Sequence, residues 1–211
     1  MNKPYEKQMV LLRNAESRTR GLRRFPADAD GAVALEFALL AMPLLGLMLV
    51  ILEEGLDFYM RAQMDRAAQK IARQIATGAI QNTGFNNAAM TQQSFIANTV
   101  CGALPNLVNC SKVFVSASSF MQTASPTPYY SYVNGDHTGV TAPAVDNTKN
   151  PFCLGNGGSY MMLQVSYLAP LITSFLSQGP IVTYQGAKYR QMTSTVAFRN
   201  EPFPTPTYPG C

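Results

Sequence analysis

An α+β chain, one long N-terminal helix ahead of a small antiparallel-sheet domain, is predicted by three observations. An almost unbroken apolar run covers residues 32–52. Apolar residues then recur every three or four positions from Leu56 to Ile75. Beyond residue 78, short alternating segments are separated by stretches rich in Gly, Pro, Asn, Ser and Thr. The first approaches the roughly 20 residues that a membrane-crossing helix needs. The second has the period of an amphipathic helix, and the third has the period of strands. A length of 211 residues accommodates one anchor and one domain.

Residues 1–31 form a polar, basic leader. Lys3, Lys7, Arg13, Arg18, Arg20, Arg23 and Arg24 precede the apolar run, whereas only Lys112, Lys149, Lys188, Arg190 and Arg199 follow Arg73. Basic residues gathered on one flank keep that flank in the cytoplasm. Residues 79–211 are then expected on the far side of the membrane. The basic flank has no interleaved aromatics and no recognisable binding module, so nucleic acid is not an expected partner. Charged residues are 13% of the chain against roughly 25% in an average soluble protein. With the polar, uncharged composition beyond residue 78, that suits an exported β-rich domain better than a cytosolic enzyme.

Residues 32–52 are expected to cross the membrane once, in contact with lipid; Pro43 and Gly46 are tolerated in such helices. Residues 53–78 continue the helix. One face carries Leu56, Met60, Met64, Ala67, Ala68, Ile71 and Ile75, and the other carries Arg61, Asp65, Arg66, Lys70 and Arg73. Asp57 and Arg61, and Arg61 and Asp65, are four apart and can form supporting ion pairs. Glu53 and Glu54 read as acids at the membrane boundary. Gly78 offers a stop, with Asn82 and Gly84 extending the break. Helical throughout, residues 32–77 would form a rod of about 70 Å.

In the domain, residues 79–211, Thr91 is a candidate N-cap for a short helix through Phe95, Ile96 and Val100. Strands are expected at 112–118, 159–168 and 190–199. Their core faces carry Val113, Val115 and Ala117, then Met161, Leu163, Val165 and Tyr167, then Met192, Val196 and Phe198. A short helix is expected over 169–179, between Pro170 and Gly179. Residues 123–158 form a long loop of the kind that is often functional or mobile, with Tyr129, Tyr130 and Tyr132 packing it onto the sheet. The tail, "NEPFPTPTYPGC", is expected to be extended.

The chain has four cysteines, Cys101, Cys110, Cys153 and Cys211, all beyond the apolar run. An even number on an exported side points to disulfides. Three connectivities are possible and the sequence does not choose between them; Cys101–Cys110 as a local clasp with Cys153–Cys211 tying down the C-terminus is the favoured one. No CxxC spacing or accompanying histidine supports a metal. His137, the sole histidine, falls in the loop with Asp136 and Asp146 near it in sequence, and is expected to be solvated. No nucleophile–base–acid set and no phosphate loop can be assembled. No enzyme activity, metal or cofactor is expected.

An ordinary export signal carries its small-residue cleavage site after the apolar run. Here "EEGLDFYMR" follows, with no such site, and the small residue stands in front, at Gly31. A carboxylate, Glu36, lies inside the run, where it is costly and usually functional. Gly31-Ala32-Val33-Ala34-Leu35-Glu36-Phe37 resembles the prepilin-peptidase site of type IV pilin-like proteins. The stretch from Gly31 to Gly78 is similar to the N-terminus of TadE-like minor pilins, pseudopilins of the tight-adherence (Flp) pilus. The shared pattern is a basic leader, G-A-x-A-x-E-F, an apolar run broken by proline, an acid–glycine pair and an Ala- and Arg-rich helix ending near T-G. The resemblance is specific over residues 20–78, and residues 79–211 are compatible with a pilin-like fold.

The resemblance implies cleavage between Gly31 and Ala32, with prepilin peptidase, other pilins and pseudopilins, and an inner-membrane assembly platform as partners. It implies an assembly role for Glu36, beside Phe37. Cleavage would create an α-amine at Ala32, mostly protonated given a reference pKa of about 7.7–8.0. On one helix that amine lies about 6 Å along the axis from Glu36; in an array, Glu36 of one subunit can meet the amine of the next. The alternative is a bitopic membrane protein with an exported sensory or binding domain. An anchored hydrolase is a third reading, disfavoured by the missing catalytic set.

Overall fold

A computed structural model describes residues 31–83, 90–120, 130, 132–171 and 180–204. Residues 1–30 of the leader, most of the 169–179 segment and the end of the tail, with Cys211, lie outside the described residues. The chain divides into two units, Met1–Leu52 and Glu53–Cys211.

Helix α1 runs from Ala32 to Ala76, 45 residues, with Pro43 inside it. Ala, Leu, Met, Glu, Gln and Arg dominate it, all strong helix formers. In the first unit its large apolar side chains, from Val33 to Leu52, are exposed. The helix is long and apolar enough to cross a membrane. In the second unit Met60, Met64, Ala67, Ala68, Ile71, Ala72 and Ile75 are buried, which is the predicted stripe without its first member and with Ala72 added. Leu56 is exposed; where the stripe was expected to begin, Glu53 and Asp57 turn inward instead.

Gly78 ends the helix. It adopts φ 74°, a left-handed conformation natural to glycine, and its N–H bonds the Ile75 carbonyl at 3.0 Å. The carbonyl of Ala76 accepts from Glu201 N–H at 2.8 Å. A Cβ on Gly78 would stand 2.7 Å from the Phe203 ring, so glycine is required for space as well as for φ. The expected break at Asn82 is absent: α2, Ala79–Thr83, follows at once.

Thr91 caps α3, Gln92–Phe95, its hydroxyl accepting from Ser94 N–H. The helix continues as a π-helical turn, Ile96–Val100, and then as α4, Cys101–Ala103. The Cys101–Cys110 disulfide, with a Cα–Cα distance of 6.0 Å, returns the chain toward the sheet.

The sheet has four antiparallel strands: β1 Val113–Phe120, β2 Tyr160–Pro170, β3 Ile181–Tyr184 and β4 Ala187–Arg199. Their spatial order is β1-β2-β4-β3. β2 begins at 160 and ends at 170, so the predicted helix at 169–179 gives way to strand at its first two residues. β3 was not anticipated. It forms a hairpin with β4 through Gln185 (φ 49°) and Gly186 (φ 79°), the pair of positive φ values that a two-residue hairpin turn demands. The predicted faces hold. Val113 pairs Tyr167, which pairs Met192; Val115 pairs Val165; Ala117 pairs Leu163, which pairs Val196. This face packs with the α1 stripe, Phe95, Ile96 and Val100 into one core, and Phe152 adds its ring 5.3 Å from that of Phe95.

The opposite face is also covered over β1 and β2. Phe114, Ser116, Ser118, Gln164 and Ser166 are buried there. The described part of the 123–158 loop lies across it: Gln164 Nε2 donates to the Thr141 carbonyl at 2.9 Å and Gln191 Nε2 to that of Pro143 at 2.8 Å. Polar side chains fit under a loop because its free carbonyls need donors. Tyr132 packs near Phe120, ring centroids 6.3 Å apart, while Tyr130 is exposed and Tyr129 lies outside the described residues.

The outer edge of β1 is closed as well. Asn147 accepts from Val115 N–H and donates to the Val113 carbonyl. Gln92 donates to the Val115 carbonyl. Ala117 exchanges backbone bonds with Pro151 and Cys153. Such plugs remove the template that an open strand edge presents to other chains.

Candidate processing and assembly site

The site predicted from sequence is the start of α1. Gly31 is exposed, and among the described residues nothing stands within 4 Å of where a Cβ would project. Ala32 is the first residue of α1, so the peptide bond expected to be cut is the one at which regular helix begins.

Glu36 is in the second turn and exposed. Residues four apart share a helix face, so Ala32 lies one turn below Glu36 on the same face. Around Glu36, Val33, Leu35, Phe37, Leu39 and Leu40 are all exposed, and α1 has no acid in its first turn. The carboxylate thus stands in an apolar surface near the N-terminal end of α1. In lipid or among packed helices it would need a cationic partner, because a lone charge there is costly. An amine at Ala32 is the cation such an arrangement can supply. Phe37 follows Glu36 and adds exposed apolar area.

Among the other predicted site residues, Cys101 and Cys110 are joined. Cys153 lies within hydrogen-bond distance of Ser119 Oγ, 2.9 Å from it; its expected partner Cys211 is outside the described residues. His137 occupies a turn at φ 53°, its N–H bonded to the Asn134 carbonyl, and Asn134 Oδ1 accepts from Thr138 and Gly139 N–H. Asp146 caps the turn Asn147–Lys149.

One group of charges was missed. Glu53 and Asp57, one turn apart on α1, face Arg190 of β4. The Arg190 Nη2 is 3.9 Å from Glu53 Oε1, and Nη1 contacts Asp57 Oδ2. Arg190 is 2% exposed and Glu53 8%. This corrects two expectations: Glu53 is not a boundary acid left to solvent, and Asp57 pairs with Arg190 instead of Arg61. The signal was present in the strand pattern. Arg190 falls on the same alternating face as Met192, Val196 and Phe198, and an arginine on a core face needs buried acids opposite it.

Residues 31–73 match the family model described as "TadE-like protein". The match starts at Gly31 and stays within the site and α1. No curated protein matches the chain, and no solved structure does.

Proposed function

We propose, from the TadE-like character of residues 31–73, that this protein works in assembly of a tight-adherence pilus as a pseudopilin-type subunit. In this reading the basic leader stays in the cytoplasm, α1 crosses the inner membrane, and the second unit lies in the periplasm. Prepilin peptidase removes the leader after Gly31. The exposed apolar surface of α1 then packs laterally against other pilins and the assembly platform. Glu36 pairs with the Ala32 amine of a neighbour and sets the register between subunits; the work is done by packing and charge pairing, not by catalysis. The observation that carries this reading is the coincidence of Gly31, the onset of helix at Ala32 and the single-turn offset to Glu36 within the exposed apolar part of α1.

Intact mass of the protein from its native host tests it. The expected mature chain begins at Ala32, Gly31→Leu abolishes processing, and Glu36→Ala is processed but gives no pili. Retention of Met1 in cells with an active prepilin peptidase, or normal piliation with Glu36→Ala, overturns it.

A further inference from the structure

The second unit opens with an exposed apolar collar. Leu56, Phe58 and Tyr59 are 50%, 79% and 51% exposed, while Glu53, Met60 and Met64 of the same stretch are buried. Successive helical residues turn by 100°, so the three side chains fan across about 160° of arc. They cover the directions that the domain core does not.

Further along the same outward face the chemistry changes abruptly. Asp65, Arg66, Gln69, Lys70 and Arg73 are exposed there, and no large apolar side chain is. Apart from Glu54, an exposed acid at its edge, this helix face passes from apolar, through aromatic, to charged within a few turns, the profile of a bilayer boundary. Tyrosine and other amphipathic aromatics favour the headgroup level, apolar body inward and polar tip outward. Helical side chains also lean toward the N-terminus, which draws Phe58 and Tyr59 back toward Leu52.

The depth agrees. If residues 32–52 fill a hydrocarbon core of about 30 Å, the headgroup layer adds about 5–7 Å on each side. At roughly 1.5 Å per residue Leu56 lies about 6 Å past Leu52, within that layer, and Phe58 and Tyr59 lie about 9–10 Å past it, at its outer edge, with their rings leaning back into it. A single docked protein would need one flat face, whereas the collar points in three directions; lipid surrounds it without such a constraint.

We propose that Leu56, Phe58 and Tyr59 form a lipid-facing collar seated in the headgroup layer of the leaflet next to the second unit. This rests on residues 32–52 spanning the membrane, and the test separates the two. The chain has no tryptophan, so one introduced tryptophan reports alone. Leu45→Trp, Phe58→Trp and Gln69→Trp are made in the full chain and reconstituted in phosphatidylcholine vesicles brominated either near the headgroup or deep in the acyl chain. Phe58→Trp is expected to be blue-shifted relative to Gln69→Trp and quenched most by shallow bromines. Leu45→Trp is expected to be quenched most by deep bromines, and Gln69→Trp by neither.

Quenching of Leu45→Trp without quenching of Phe58→Trp overturns the collar alone. No quenching at Leu45→Trp overturns the spanning reading and the collar with it. A blue-shifted, unquenched Phe58→Trp that becomes quenchable when the protein is diluted in lipid shows a second copy on this face, and overturns the lipid assignment.

Discussion

Arg190 shows how much one side chain can decide. It is a buried cation between two carboxylates on a helix more than 130 positions earlier in the chain. Breaking a buried ion pair by removing one partner costs about 3–5 kcal/mol, because the remaining charge stays buried and unpaired. Arg190→Ala, which removes the buried cation facing Asp57 and Glu53, is therefore expected to lower the stability of the second unit by that order in urea unfolding of the full chain in detergent. Replacing all three members, Glu53→Leu, Asp57→Leu and Arg190→Met, is expected to recover most of the loss. No recovery would mean that the cluster contributes more than mutual neutralisation. The Gly31–Phe37 motif stands out in the sequence because its spacing is local and contained in seven residues. The Glu53–Asp57–Arg190 cluster was not, because its members meet only after the sheet has formed.

At the scale of elements, the turn Asn147–Lys149 carries the plug on the β1 edge. Asp146 holds it, accepting from Thr148 Oγ1 at 2.7 Å and Thr148 N–H at 3.0 Å. Those bonds, the hydroxyl first, hold the Asp146 carboxyl below the usual carboxylate range, with a smaller contribution from Lys149. A lowered folded pKa contributes stability above the unfolded value and loses it as the pH falls through the folded one. The turn is therefore expected to hold above about pH 3.9 and to loosen below it. Faster amide exchange at Thr148 in acid would show this, and Asp146→Asn should remove the pH dependence. The long helix and three strands were predictable since their periods persist over many residues. The β3–β4 hairpin carried a usable signal in "IVTYQGAKYR", four alternating residues and an x-Gly turn, but an assumed helix before it absorbed the attention of the pattern. The sheet-covering role of the loop had no signal, because irregular backbone has no period.

At the scale of the molecule, the second unit is a helix face and short helical segments on one side of a sheet with a loop across the other. The Cys101–Cys110 clasp closes a short loop, nine residues in separation, between the helical layer and β1. A loop of that size is expected to contribute about 2–3 kcal/mol through the unfolded chain. Cys101→Ala with Cys110→Ala should lower the thermal midpoint of the second unit while leaving processing at Gly31 intact, read by circular dichroism and by mass. The staple at the end of α1 has a mechanical meaning. Glu201 N–H on the Ala76 carbonyl and Phe203 against Gly78 connect the helix directly to the chain leaving β4. Tension drawn along α1 would thus enter the central strand pair β2–β4 without first passing through α2, α3 or the loop. Subunits hauled from a membrane by their helix would bear the load on the most extensively paired part of the sheet, and the peripheral helices would be spared it.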